Sequence, residues 1–159
     1  MGISMTGDWG KLRHTLGKMA TINPKDAHRI MAGVLLTTTQ LRFRNTEDPE
    51  GNKWKKSARA SLAGGKTLTD SAQLKKSIHA KFSARSASIG TNKLYAAIHQ
   101  FGGVIKPKKS AWLTFEIPGV GFRRVAQVTI PARPYLGISD DDKALMRQAL
   151  ARYLKGKVT

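Results

Sequence analysis

Two short segments restrict what this chain can fold into more than anything else in it. Residues 131–137 read Pro-Ala-Arg-Pro-Tyr-Leu-Gly. Each proline fixes its own φ and pushes the residue before it, Ile130 or Arg133, into extended geometry. The result is a directed strap, anchored by Tyr135 and Leu136. Residues 95–103 read Tyr-Ala-Ala-Ile-His-Gln-Phe-Gly-Gly. Tyr95, Ile98 and Phe101 recur every third position and share one helical face. Gly102 then ends the helix at positive φ, and Gly103 lets the chain turn closely. His99 and Gln100 are left on another face as hydrogen-bonding groups. Both segments read as rigid joints. They are packed structure first, and Arg133 and Tyr135, being residue types favoured at interface hot spots, make the strap a candidate contact surface.

The remaining elements arrange themselves around these joints. Trp9, Leu12, Leu16 and Met19 form a helical stripe with Asp8 at its positive end. Asn23 and Pro24 start a second helix, as N-cap and first helical residue, with Asp26 in the first turn. Its stripe is Ala27, Ile30, Met31, Val34, Leu35, Thr38 and Leu41, expected to face the core. Turn chemistry at 45–52 stops it. A short helix is expected from Thr69, strands at 77–82 and 87–90, and a hairpin of 111–117 with 121–130 across the turn 118–120. Ser139 opens a capping box with the three aspartates that follow it. The helix beyond shows an apolar face of Leu145, Met146, Ala149, Leu150, Tyr153 and Leu154. The expected fold class is α+β: a small, mostly antiparallel sheet packed with N-terminal and C-terminal helices. At 159 residues one domain spanning 1–159 is expected.

Charge is the outlier in composition. Lys and Arg number 28 against 10 Asp and Glu, a net charge of +18. Residues 51–109 hold thirteen of the basic residues and one acid, Asp70, so they carry +12 of it. A field this lopsided favours a polyanion or an acidic protein surface. The densest stretch, about 52–67, reads as a mobile basic loop with Lys53, Lys55, Lys56 and Arg59 as its charged contacts. Trp54 in that loop and Trp112 after Lys106, Lys108 and Lys109 pair cations with rings, as single-strand binding would use. Trp112 opens a strand, however, and is expected to pack on the core.

Reaction chemistry finds little support. His14, His28, His79 and His99 lack metal-ligand spacing, no Gly-x-Ser-x-Gly elbow occurs, and no cysteine is present. The run Gly64-Gly65-Lys66-Thr67 fails as a phosphate loop because Ala60 stands where its first glycine is required. Hence no catalytic, cofactor or metal residues are expected. Apolar runs are too short for a membrane-spanning helix, no signal peptide is evident, and the lack of cysteine suits a reducing cytosol.

Four pieces in order carry a family resemblance: Arg42-Phe43 with Asp48-Pro49-Glu50-Gly51-Asn52-Lys53-Trp54; residues 68–78; residues 89–103; and residues 130–139. With them the chain resembles the phage virion morphogenesis family, the Mu-like tail completion proteins. At 70–71 it carries Asp-Ser in place of a Thr-Gly type pair. The resemblance implies a tail-terminator-like subunit that completes or caps a tail and helps join it to the head. It implies a ring-shaped homo-oligomer, often a hexamer, and supplies no catalytic residue. The expected partners are further copies of the chain, tail tube or head-connector proteins, and phage DNA by non-specific contact, with no membrane. The expected location is the head–tail junction of the virion, reached from the host bacterial cytoplasm. His99, Gln100, Phe101, Arg133 and Tyr135 are the expected interface residues. Two other readings stand beside this one. A basic nucleic-acid-binding module would show a steep salt dependence. A cryptic hydrolase would require His99 to meet a carboxylate.

Overall fold

The computed structural model describes residues 23–117 and 119–158, together with Gly17. The stripe at Trp9, Leu12, Leu16 and Met19, and Pro118 of the hairpin turn, lie outside the described residues. The elements in chain order are α1 (Pro24–Asn45), α2 (Ala58–Leu62), α3 (Gln73–Ser77), β1 (His79–Phe82), β2 (Ala87–Gly90) and α4 (Ala96–Phe101). They continue with β3 (Gly103–Ile105), β4 (Leu113–Ile117), β5 (Gly121–Val125), β6 (Val128–Ile130) and α5 (Asp140–Val158).

α1 begins as its sequence dictates. The Asn23 side chain accepts from the Lys25 N–H at 3.0 Å, and Pro24 occupies the first turn. It ends at Thr46, which takes a left-handed conformation at φ 56° and returns its N–H to the Arg42 carbonyl. α5 starts in a reciprocal capping box. The Asp142 N–H donates to Ser139 Oγ at 3.1 Å, and the Ser139 N–H donates to Asp142 Oδ2 at 2.9 Å. The two long helices pack together antiparallel. Arg42 near the end of α1 pairs with Asp142 at the start of α5, and Tyr153 in α5 donates to Asp26 in the first turn of α1 at 3.2 Å.

The buried face of α1 is Ala32, Leu35, Thr38, Thr39, Arg42 and Phe43. The apolar stripe read from the sequence includes Leu35 and Thr38 of these, whereas Leu41 is largely exposed. Polar side chains complete the face, so hydropathy alone misplaces it. Phe43 is fully buried and sits edge-on to Trp54 at 5.6 Å and tilted against Tyr135 at 5.2 Å. Leu74, Ile78 and Ala96 close this core. Burying a ring of this size contributes on the order of 2–3 kcal/mol.

The strands are antiparallel as expected but form three separate two-stranded ribbons, β1–β2, β3–β6 and β4–β5. The expected long strand 121–130 is broken after Val125. Its second part, β6, leaves β4 and pairs with β3, Gly103 facing Ile130. β3 directly follows the Gly102 turn, and its Val104-Ile105 pair is too short a run to mark a strand by itself. The 52–67 stretch is also more ordered in form than an open loop. Lys53 bridges to Glu47, α2 occupies its middle with Ser57 as N-cap, and Trp54, Ala60 and Thr67 are buried. Trp112 corrects another expectation: it stays 46% exposed, with the Arg124 guanidinium over its ring at 5.3 Å. It stands one residue before β4, whose ribbon with β5 contains no buried residue.

Candidate assembly interface

The two joints meet. An extended segment without a strand partner must satisfy its backbone polar groups by other means, and the strap does so with side chains. The carbonyl of Pro134 accepts from Trp54 Nε1 at 2.9 Å, and that of Tyr135 from Arg42 Nη1 at 3.2 Å. The carbonyl of Leu136 accepts from Gln100 Nε2 at 2.8 Å, and that of Gly137 from Arg42 Nη1 at 2.9 Å. On the donor side, Gln100 Oε1 accepts from the N–H groups of both Tyr135 (3.1 Å) and Leu136 (3.0 Å). The Arg133 N–H donates to the His99 carbonyl at 2.7 Å, and the Tyr135 hydroxyl to the Ala96 carbonyl at 3.1 Å. α4 is thereby locked onto the strap along its length.

Two glycines make the fit possible. Gly102 has φ 74°, and a Cβ there would fall 2.7 Å from the Ala132 nitrogen. A Cβ on Gly137 would fall 2.6 Å from Pro49 Cγ, so the turn after α1 rests directly on the strap.

Charge is buried at the same place. Arg42 and Asp142 are 5% and 2% exposed. Burial works against the charged form of Asp142, but hydrogen bonds from Ser139 and Thr38 and the charge of Arg42 outweigh it, and the carboxyl is held below its usual range. Arg133 is also buried, donating from Nε to the Lys55 carbonyl at 2.7 Å. Burial pulls its guanidinium below the usual value, and burial raises the Tyr135 phenol.

These contacts settle where the expected interface residues lie. Arg133 and Tyr135 are 4% and 1% exposed and are occupied inside the subunit, so they stiffen the strap and present no outer face. Gln100 is the clamp between the joints. Phe101, at the end of α4, is 79% exposed, and Leu94 and Tyr95, before its start, are exposed as well. The shared face of Tyr95, Ile98 and Phe101 therefore leans outward, and Ala96 is the buried residue of α4. His99 is half-buried against the Tyr95 ring, and its Nδ1 has no hydrogen-bond partner. Burial, with the nearby Arg133 charge, lowers its pKa.

His99 shares a cavity of about 260 Å³ with Asp70 and Arg59. Asp70 is directed to Arg59 at 3.5 Å, however, and no carboxylate bonds to the imidazole among the described residues. No group of three metal-binding side chains forms among the described residues either. Of the charged contacts, Lys55 and Lys56 are exposed. Lys53 is exposed but paired with Glu47 at 2.8 Å, and that bond together with one from Asn45 lowers the Glu47 pKa. Arg59 is turned back, donating to the Gly64 and Lys66 carbonyls at 3.1 and 2.8 Å.

Sequence reasoning missed Arg42 and Asp142 as a pair, since 100 residues separate them and each has an innocent local explanation. It also missed the unburied β4–β5 ribbon, although the arginines at 123–124 beside Phe122 were a legible sign.

Such a chain is a small α+β protein whose described chemistry is packing, strap-locking and surface charge. The chain belongs to the phage virion morphogenesis family, which it matches over residues 8–155. It is 29% identical over 148 residues to the "Putative capsid assembly protein G" of Escherichia phage Mu, covering 87% of this chain and 85% of the relative. It is 31% identical over 131 residues to the Mu-like prophage FluMu G protein 2 of Haemophilus influenzae, covering 81% and 80%. No solved structure matches it. The protein is thus a structural component of phage virion assembly. Among the described residues no helix is long and apolar enough to cross a membrane.

Proposed function

We propose that this protein completes or caps the phage tail and helps join it to the head, acting at the head–tail junction as a ring-shaped homo-oligomer, with six copies the expected number. The observation that carries the reading is Phe101, 79% exposed at the end of a helix fastened to the strap at every turn. A large apolar ring on a fixed backbone is what an assembly contact uses, because little backbone freedom remains to be lost on docking. In this reading Phe101, Leu94 and Tyr95 meet a neighbouring copy, a tail tube protein or a head connector. Lys53, Lys55 and Lys56 face DNA in the passage or an acidic surface of a partner. The role is structural, without catalysis or cofactor. The Mu relative's name speaks of capsid assembly, and the junction is where capsid and tail assembly meet. Deleting the gene from the phage is expected to leave heads and tails unjoined, a defect restored by the wild-type gene and poorly by Phe101→Asp. Joined, infectious particles at normal yield from the deletion would refute the proposal.

A second reading, a basic nucleic-acid-binding module, draws on the charge of +18 and on Trp112, which remains available for stacking beneath Arg124. Trp54 supports it less, being buried and bonded to Pro134. It predicts DNA binding whose log–log salt slope falls by about 3 when Lys53, Lys55 and Lys56 become Ala. Binding insensitive to salt would exclude it.

A further inference from the structure

Six of the chain's ten acidic residues line one groove. It has a volume of about 570 Å³ and runs between the end of α1, the turn that follows and the start of α5. Glu47, Asp48 and Glu50 form one wall, and Asp140, Asp141 and Asp142 the other. Arg42, Lys53 and Lys143 pair with Asp142, Glu47 and Asp140. Asp48 bonds only to the neutral Asn52, and Glu50 and Asp141 are exposed. The groove therefore keeps a negative rim on a molecule of net +18. The apolar Leu41, Ile138 and Leu145 also line it and are 44%, 54% and 42% exposed.

The β4–β5 ribbon has the opposite character. None of its residues is buried. Two-stranded ribbons without cover are marginal in water. On one face, set by the register Thr114–Arg124 and Glu116–Phe122, stand Trp112, Thr114, Glu116, Phe122 and Arg124, with Arg123 on the other. Phe122 is 72% exposed, the most of any strand residue with a large apolar side chain. Arg123 and, just upstream, Lys106, Lys108 and Lys109 add positive charge. No residue of this ribbon lines the groove of its own subunit.

We propose that the acid-rimmed groove receives the β4–β5 ribbon of a second copy of this chain. Phe122 enters between Leu41, Ile138 and Leu145, while Arg124, on the same face of the ribbon, meets Glu50 and Asp141. The contact joins two different surfaces, so it is head-to-tail and repeats around a ring when the rotation closes. It rests on the ring reading above and names the contact that builds the ring. It also gives the ribbon the cover it lacks in the single subunit.

The native chain has no cysteine, so introduced thiols report on one chosen pair alone. A mixture of Phe122→Cys and Ile138→Cys proteins, mildly oxidised, is expected to form a covalent dimer about tenfold faster than a control mixture of Phe122→Cys with Ser88→Cys. Adding Glu50→Lys and Asp141→Lys to the groove chain is expected to return the rate to the control level. Arg124→Glu on the ribbon chain is expected to restore it. Sedimentation of the unaltered protein runs in parallel. Oligomers without preferential cross-linking would overturn this contact and leave the ring reading standing. A monomer at every concentration without cross-linking would overturn both. Cross-linking indifferent to charge reversal would overturn the pairing of rim and ribbon.

Discussion

Replacing Arg42 by Met tests the link between the long helices and the strap. Arg42 is 5% exposed and makes three bonds, to Asp142 and to the carbonyls of Tyr135 and Gly137. Methionine fills much of the same volume, so the cavity left is small and the change is mainly one of charge and hydrogen bonding. Removing one member of a buried pair costs about 3–5 kcal/mol, because the remaining charge is left without its partner. The two carbonyls add to this, by about 1–3 kcal/mol for each that water fails to reach. The pair alone sets the least expected loss at about 4 kcal/mol, a large part of the roughly 5–15 kcal/mol that holds a domain together. With a urea slope of about 2 kcal/mol per molar, the unfolding midpoint falls by about 2 M. The double variant Arg42→Met with Asp142→Leu recovers a good part of that loss, since no charge is then stranded. A single variant within about 1 kcal/mol of wild type, at unchanged slope, would refute the account of the pair as a tie between helix and strap.

Acid unfolding supplies a second test. The folded pKa of Asp142 lies below its unfolded value. Its contribution is therefore present above the unfolded carboxylate value near 3.9 and is lost as pH falls through the lower folded value. Stability of wild type, followed by urea titrations from pH 5 downward, should fall more steeply than that of Asp142→Asn; parallel curves would count against it. Gln100→Ala strips the strap of two acceptor contacts and one donor, and a loss of about 2 kcal/mol is expected by the same denaturation assay. Gly102→Ala forces a Cβ against the Ala132 backbone at a positive φ, and a loss of about 2 kcal/mol or more is expected, with α4 and β3 losing amide-exchange protection first.

Much of the fold is legible locally. The Asn23-Pro24 start of α1, the capping box at Ser139, the Gly102 stop and the antiparallel strands are written in residues that touch within a few positions of one another. Such signals act through backbone conformation, which the sequence states directly. The interior of the candidate site is harder to read. Arg133 and Tyr135 belong to residue types common at interfaces, yet both are consumed inside the subunit by partners from Lys55 and Ala96. Residue type does not tell an internal clamp from an external contact, because the same guanidinium and phenol serve either.

By itself, then, the sequence determined the starts of the two long described helices, the Gly102 stop, the extended course of residues 131–137, the +18 charge and the family to which these belong. Only the tertiary structure decided that the strap is fastened by Trp54, Arg42 and Gln100, that strand 121–130 divides, and that Trp112 and Phe122 stay in water. The physical reason is range. Caps, prolines and glycines act on neighbours in the chain, whereas burial, ion pairing and the facing of a ribbon depend on segments far apart in the chain, whose meeting no local pattern records.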